Sequence, residues 1–464
     1  MAFEIPDDLM VSVSGVRGRV GQGLTPEVVT RFAAAFGAWL RQSEERPRVV
    51  LARDSRVSGP MFSHAALAAL LSTGCDVISA GLIPTPTALF TVRQRKASGA
   101  IVVTASHNPV EWNAHKFASS AGMFLDSDEA PAMRAFINDR PIPRAAWDAL
   151  GTVSEDLEAV DRHLEAILAI RYLDIDAIRH RHFKVALDCT RGAGGVLLPR
   201  LLERLGCEIM GLDLQPDGRF SRTPEPVAEN LGGLENLVRE SGADVGMATD
   251  PDADRLSLVS DRGSAIGEDM TLALAAQLVL RHNPGPIATN LSTSRVVEDV
   301  AAAAGVAFHR APVGEINVAR AMQQVRAVIG GEGNGGVILP DVQLTRDAGV
   351  ALVLILQSML ESQKSLGVMV DEFKSYVIVK EKVPAGGAPL ATAYSMLESW
   401  EFPQGHPRVD RRDGLRLDWP AAGSWLHLRP SGTEPIYRII AEAPDREEAR
   451  LLVEQARQAL SRSP

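Results

Sequence analysis

The chain has 464 residues and a formal net charge of −10, too long for one hydrophobic core and too acidic overall to present a nucleic-acid surface. Hydrophobic residues make up 45% and charged residues 23%, which excludes a disordered or fibrous class. Three scattered cysteines, Cys75, Cys189 and Cys207, form neither a disulfide framework nor a zinc knuckle.

Along the chain, the N-terminal MAFEIPDDLM lacks the basic and apolar regions of a secretory signal. The apolar stretches near 270–280 and 350–356 fall short of the roughly 18 residues that a membrane span needs. A cytoplasmic protein without membrane or nucleic-acid partners is expected. Short Val/Ile-rich runs then alternate with Ala/Leu-rich helical segments. RVVLA (48–52) precedes a turn, RDSRVSG, and the helical FSHAALAALLSTG; DVISA (76–80) and GAIVVTA (99–105) follow as strands. This βαβ cadence predicts a parallel or mixed sheet with helices on both faces.

The cadence returns after a helical linker at about 154–182, in FKVALDCTRGAGG, LLPRLLERLGCEI and ADVGMATDPDADR, and a third time in PIATNLSTSRVVEDVAAAAGV and RAVIGGEGNGGVILP. From about 370 the order changes to strand, helix, three strands and helix, which is α+β. The expected architecture is three related mixed α/β domains plus a C-terminal α+β domain around a cleft. The spans are 1–152, 153–256, 257–368 and 369–464.

Four constellations carry chemistry. In TDPDADR, Asp250, Asp252 and Asp254 crowd three carboxylates behind an apolar strand; a hard divalent cation such as magnesium relieves their repulsion. An EF-hand is excluded because Arg255 and Asp261 stand where Gly and Glu are required. A solvated acidic turn is the alternative. In RPSGTEP, Arg429, Ser431, Gly432 and Thr433 offer a guanidinium fork, hydroxyls and approachable backbone N–H groups, a phosphate clamp or else a polar turn. Arg438 either joins that clamp or decorates the next strand. GGEGNGG places Glu332 and Asn334 between glycines, suited to sugar hydroxyls or simply a flexible turn. DCTRGAGG lacks the third glycine of a dinucleotide fingerprint and reads as a tight turn.

Finally, TASHNP presents Ser106 and His107 at the end of a buried run. It lacks the G-x-S-x-G elbow of a hydrolase, and a lone Ser106 is as well explained as a cap. Lys116 and Arg17 (in SGVRG) supply cations, and a serine near basic groups and a magnesium loop is suited to carrying a phosphoryl group.

Taken in order, SGVRG, TASHNP, DPDADR, GGEGNGG and RPSGTEP resemble the α-D-phosphohexomutases over essentially the whole chain. That family includes phosphoglucomutase/phosphomannomutase and phosphoglucosamine mutase. The resemblance implies an isomerase that interconverts hexose 6-phosphate and hexose 1-phosphate through a bisphosphorylated sugar, which also serves as activator. Ser106 would be the phosphoserine, and one magnesium ion would be bound by Asp250, Asp252, Asp254 and a phosphoserine oxygen. Arg17, His107 and Lys116 would lie beside the phosphoserine, Arg255 would face the same phosphate, and Glu332 would hold sugar hydroxyls. Arg429, Ser431, Gly432 and Thr433 would grip the non-reacting phosphate, on a fourth domain acting as a lid.

Many members carry Ser and His where this chain has Asn334 and Gly336. The present form resembles archaeal-type phosphoglucosamine mutase-like members and lacks an imidazole that could contact the sugar, which leaves the choice of sugar open. Glucosamine 6-phosphate is the expected substrate and glucose or mannose phosphate the alternative, with Asn334 a candidate reader of the amino group. A non-catalytic phosphosugar-binding paralogue and a magnesium-dependent phosphatase are the competing classes. The chain is expected to be a monomer or homodimer.

Overall fold

The computed structural model describes residues 5–461 apart from 7, 14, 139–140, 386–388 and 432–435. Four sheets follow one another along the chain. The first has seven strands in the spatial order Met10–Ser12, Gly15–Arg19, Trp112–Ser119, Gly99–Val103, Arg48–Arg53, Asp76–Leu82 and Val153–Glu155. Its last four run parallel, three of them apolar runs joined by helical crossovers and the fourth the exposed edge strand Val153–Glu155, and the first three are antiparallel.

Two four-stranded mixed sheets come next. One orders Leu256–Ser260, Val245–Thr249, Lys184–Asp188 and Glu208–Leu212; the other orders Phe308–Ala311, Ile287–Asn290, Ile329–Glu332 and Gly336–Ile338. The fourth sheet is five-stranded and antiparallel throughout, from Val377–Pro384 through Ile436–Ala443, Ser424–Pro430 and Leu415–Trp419 to Arg408–Asp410.

Two strands refine the expected spans. Val153–Glu155 lies beyond residue 152 yet pairs with Asp76–Leu82 in the first sheet, because it supplies the hydrogen bonds that strand would otherwise lack on that edge. Leu256–Ser260 lies almost wholly beyond residue 256 but pairs with Val245–Thr249, since the acidic loop between them is a hairpin connection.

A shared device underlies the first three sheets. In each, a buried parallel strand ends in a loop and returns as an antiparallel neighbour: Gly99–Val103 into Trp112–Ser119, Val245–Thr249 into Leu256–Ser260, and Ile329–Glu332 into Gly336–Ile338. The serine, acidic and sugar-loop motifs occupy those three connections.

Packing fuses these three units. Helix Ala348–Ser362 is buried at every residue from Ala348 to Met359, as expected of a helix that is apolar all round. It packs on helices Ala159–Leu168, Ile175–Arg181, Gly194–Arg204 and Glu268–His282. Asp347 starts it by accepting from the Gly349 and Val350 amides at 2.9 and 3.2 Å, satisfying orphan donors of the first turn. One continuous apolar cluster runs from Val50 and Ile83 through Leu187 and Leu201 to Leu274 and Leu354. The fourth unit has a separate core built on Leu415, Leu426, Ile439 and Val453. Among the described residues, no helix is long and apolar enough to cross a membrane.

Candidate active site

Ser106 is 4% exposed and has φ +49°, a conformation a β-carbon disfavours and one that surrounding contacts must hold. Arg56 supplies those contacts. It is fully buried, and Nη2 donates to the carbonyls of Ser106 and Asn108, both at 2.6 Å; Nη1 donates to those of Pro109 and Trp112 at 2.6 and 2.8 Å. Nε donates to Asp54 Oδ2 at 3.1 Å, so every N–H of the fork is used. Asp54 also accepts from Thr104 Oγ1 at 2.7 Å, and Thr104 Oγ1 accepts from the Ser106 amide at 3.0 Å. The serine loop is thus clamped from inside its own domain.

The acidic loop comes to meet it. Ser106 Oγ donates to Asp250 Oδ2 at 2.8 Å, joining the first and second sheets' loops. Asp250, Asp252 and Asp254 are each 0% exposed, and their ligand oxygens lie within 4.8 Å of one another. Burial, then Asp254 and Asp252, push the Asp250 carboxyl well above its ordinary range. For Asp252, burial works the same way but is outweighed by Lys116 and by hydrogen bonds including those from Thr85 and Lys116, which hold it below that range. Lys116 Nζ and Thr85 Oγ1 reach Asp252 Oδ2 at 3.0 and 2.8 Å.

The donor set fits magnesium. Asp252 Oδ1 and Asp254 Oδ1 are buried without a hydrogen-bond partner, and three crowded hard-oxygen donors are what that cation takes.

His107 Nδ1 lies 3.3 Å from Ser106 Oγ, and Nε2 lies 3.8 Å from Glu225 Oε1. Burial, then the Arg255 and Arg17 charges, push its pKa below the ordinary histidine value. Arg17 Nη1 donates to Asn108 Oδ1 at 2.9 Å, and Arg255 Nε lies 3.9 Å from Asp250 and 3.7 Å from Asp254. Ser106, His107, Lys116, Arg17, Arg255 and the three aspartates form one cluster.

Glu332, 4% exposed, accepts at Oε1 from Asn290 Nδ2 at 2.7 Å and the Gly314 amide at 3.1 Å. Its Oε2 accepts from Arg346 Nη1 at 2.8 Å and Asn334 Nδ2 at 3.5 Å. Asn334 Oδ1 accepts from the Gly336 amide at 3.2 Å. Arg346 also pairs with Asp254, so the sugar loop meets the acidic loop through that guanidinium.

Arg429 lies in the fourth sheet, where strand register sets it opposite Arg438 on the same face. Its Nε donates to Asp413 Oδ2 at 2.8 Å, which also accepts from the Val313 amide at 3.0 Å. The arginine thereby approaches the sugar loop's neighbourhood. The Ser431 amide donates to the Ile436 carbonyl at 2.9 Å. Gly432 and Thr433 lie outside the described residues.

Sequence reading missed Arg56 and Arg346. Arg56 lies in RDSRVSG, which reads as a turn; its signal is an Asp-x-Arg pair placed where a buried parallel strand ends, the edge at which α/β sheets bind ligands. Arg346 stood directly before Asp347, the cap of an all-apolar helix, and nothing local marks it.

Four family descriptions match the chain in succession: phosphoglucomutase/phosphomannomutase alpha/beta/alpha domain I over residues 9–141, domain II over 161–263, domain III over 267–376 and the C-terminal domain over 377–459. A protein of Thermococcus kodakarensis named phosphoglucomutase/phosphomannomutase is 38% identical over 95% of this chain and 96% of its own. One of Methanopyrus kandleri named "Probable phosphoglucosamine mutase" is 35% identical over 95% of each. The crystal structure of a phosphoglucomutase/phosphomannomutase family protein from Burkholderia thailandensis superimposes with a TM-score of 0.84 at 26% identity, covering 97% of this chain and 96% of that one. The chain belongs to the phosphoglucomutase/phosphomannomutase family and is a phosphohexomutase enzyme.

Proposed function

We propose that the chain interconverts hexose 6-phosphate and hexose 1-phosphate by way of phosphorylated Ser106 and a bisphosphorylated hexose. The observation that supports this most is Ser106 Oγ hydrogen-bonded at 2.8 Å to a buried triad of aspartates. A sugar hydroxyl oxygen attacks the phosphorus, the P–Oγ bond to Ser106 breaks, and the hydroxyl proton passes to the imidazole of His107, which lies 3.3 Å from Ser106 Oγ. The bisphosphate then turns over, Ser106 Oγ attacks its other phosphorus, the P–O bond to the sugar breaks, and His107 returns the proton to the freed sugar oxygen. Magnesium, when held by Asp250, Asp252 and Asp254, supplies charge neutralisation at the phosphoryl oxygens.

Lys116 balances the triad through Asp252. Arg56 keeps the Ser106 loop in its disfavoured conformation, so that the nucleophile costs no reorganisation at the moment of transfer. Arg429, Ser431 and Arg438, with Gly432 and Thr433, hold the phosphate that is not reacting, and Arg17 and Arg255 face the one that is. A bisphosphorylated hexose primes Ser106.

Glucosamine 6-phosphate is the substrate we assign first, on the name of the M. kandleri relative and of a Methanosarcina barkeri relative at 33% identity. A second reading, neutral hexose phosphates, is favoured by the name of the T. kodakarensis relative. A mutase assay with magnesium and a bisphosphate primer, run side by side on glucosamine 6-phosphate, mannose 1-phosphate and glucose 1-phosphate, tests both. Turnover is expected to disappear in Ser106→Ala and on chelation, and to return with magnesium in the wild type. Preference for the amino sugar supports the first reading, and comparable rates on the neutral sugars support the second. Phosphate release without isomerisation would make the chain a phosphatase.

A further inference from the structure

Arg346 is 7% exposed and faces three carboxylates from three segments. Nη2 pairs with Asp254 of the acidic loop, Nη1 donates to Glu332 of the sugar loop at 2.8 Å, and Nε lies 3.4 Å from Glu315 Oε2 at the start of helix Glu315–Val325. The Arg346 amide donates to Glu315 Oε1 at 3.1 Å, which fixes the backbone beneath the guanidinium. Its stem fills a space that Gly336 leaves open. A β-carbon at position 336 would stand 2.3 Å from Arg346 Cδ and 3.1 Å from Asn334 Oδ1. A side chain at position 336 would therefore have to displace the stem of the arginine.

We propose that Arg346 is a positioning residue that binds the acidic triad and the sugar loop into one unit, acting with opposite sign on their two ligands. Toward a divalent cation it is a competitor. It takes Asp254 Oδ2 and places a like charge within a few ångströms of the open Oδ1, which opposes cation binding even after screening. Toward the sugar it is a support, since its planar fork orients the Glu332 carboxylate, a geometry that a point charge does not reproduce. A residue that merely stabilised the fold would move both affinities the same way.

The sugar half of this proposal rests on the phosphohexomutase reading above; the cation half does not. The test is calorimetric titration of Mn2+ into unphosphorylated enzyme without sugar, alongside KM and kcat on whichever hexose phosphate the wild type turns over fastest. Arg346→Gln is expected to bind Mn2+ at least threefold more tightly, while its KM rises tenfold or more and kcat falls by less than KM rises. Arg346→Lys is expected to return the cation affinity to that of the wild type and leave KM raised.

Gly336→Ala, which keeps every charged group but displaces the stem, is expected to raise KM as Arg346→Gln does. It carries the sugar test should the glutamine variant fail to fold. Weaker Mn2+ binding in Arg346→Gln, full rescue of KM by lysine, or an unchanged KM in folded Gly336→Ala would each overturn the proposal. A wild type that turns over no hexose phosphate would defeat the mutase reading instead, and the Mn2+ titration would still decide the role of Arg346 at the triad.

Discussion

The first three units and the fourth are held to the molecule by different physics. Units one to three share a continuous apolar cluster, with the Ala348–Ser362 helix in its midst. The fourth keeps its own core and docks on the third through polar groups. Arg295 pairs with Asp418 at 2.8 Å and gives its amide to Glu442 at 2.9 Å; Lys380 pairs with Glu268 at 2.8 Å; Ser292 Oγ donates to His427 Nδ1 at 2.9 Å. Apolar fusion suits the serine, the triad and the sugar loop, whose relative placement must hold to a fraction of an ångström for transfer to occur. A polar interface resembles those between domains that move, and it suits the part that must admit a substrate, close over it and accept either of its two phosphates.

The comparison can be broken most forcefully in the shared core. Leu354 is fully buried in the common cluster, and Leu354→Ala is expected to cost about 2–5 kcal/mol. The loss should appear in one cooperative urea transition for the first three units, followed by fluorescence and by limited proteolysis together. Separate transitions for those three units would contradict their fusion.

An intermediate effect comes from pH. Burial pushes His115, inside the first unit, down to about 3, and His427, at the docking face, down to about 4. Both folded values lie below the ordinary 6.5, so the unfolded chain binds more protons through that window. Stability is therefore full above about pH 6.5 and falls as the pH drops toward the folded values. Each histidine should remove about 2 kcal/mol between pH 6.5 and 5. His115 packs between Phe62 and Phe117, and neither ring nitrogen has a hydrogen-bond partner. His115→Phe should therefore lessen the loss measured by urea titration at pH 7 and 5. An undiminished loss would place the proton uptake elsewhere.

The smallest effect on stability is expected at the polar interface. Lys380→Ala, at a pair whose lysine is half exposed, should shift global unfolding by about 1 kcal/mol or less, yet raise cleavage in the segment before Val377 and lower kcat/KM several-fold as the phosphate clamp loses its seat. Unaltered proteolysis and kinetics would show that the fourth unit is fixed by other contacts.

Much of this was legible because the signals were local. The buried runs at 99–103 and 245–249 gave strands where expected, and REEARLLVEQARQALS became the helix Arg446–Ser461. Strands of three residues, such as Met10–Ser12, Val153–Glu155 and Arg408–Asp410, are too short to show alternation and exist because a neighbour's edge needs pairing. The same divide runs through the site. Ser106 and the three aspartates announced themselves within a few residues each. Arg56 acts on a carbonyl 50 positions away, and Arg346 on a carboxylate 92 positions away; a single arginine carries no sign of so distant a partner.

The central claim is that Ser106 relays a phosphoryl group. Its most direct test is to incubate the enzyme with magnesium and a hexose bisphosphate, locate the phosphate by peptide mass spectrometry, and then add unlabelled hexose monophosphate. One phosphate is expected on the Ser106 peptide, lost to the added sugar and replaced during turnover. Turnover with Ser106 unmodified, or a stable phosphate on another residue, would contradict it.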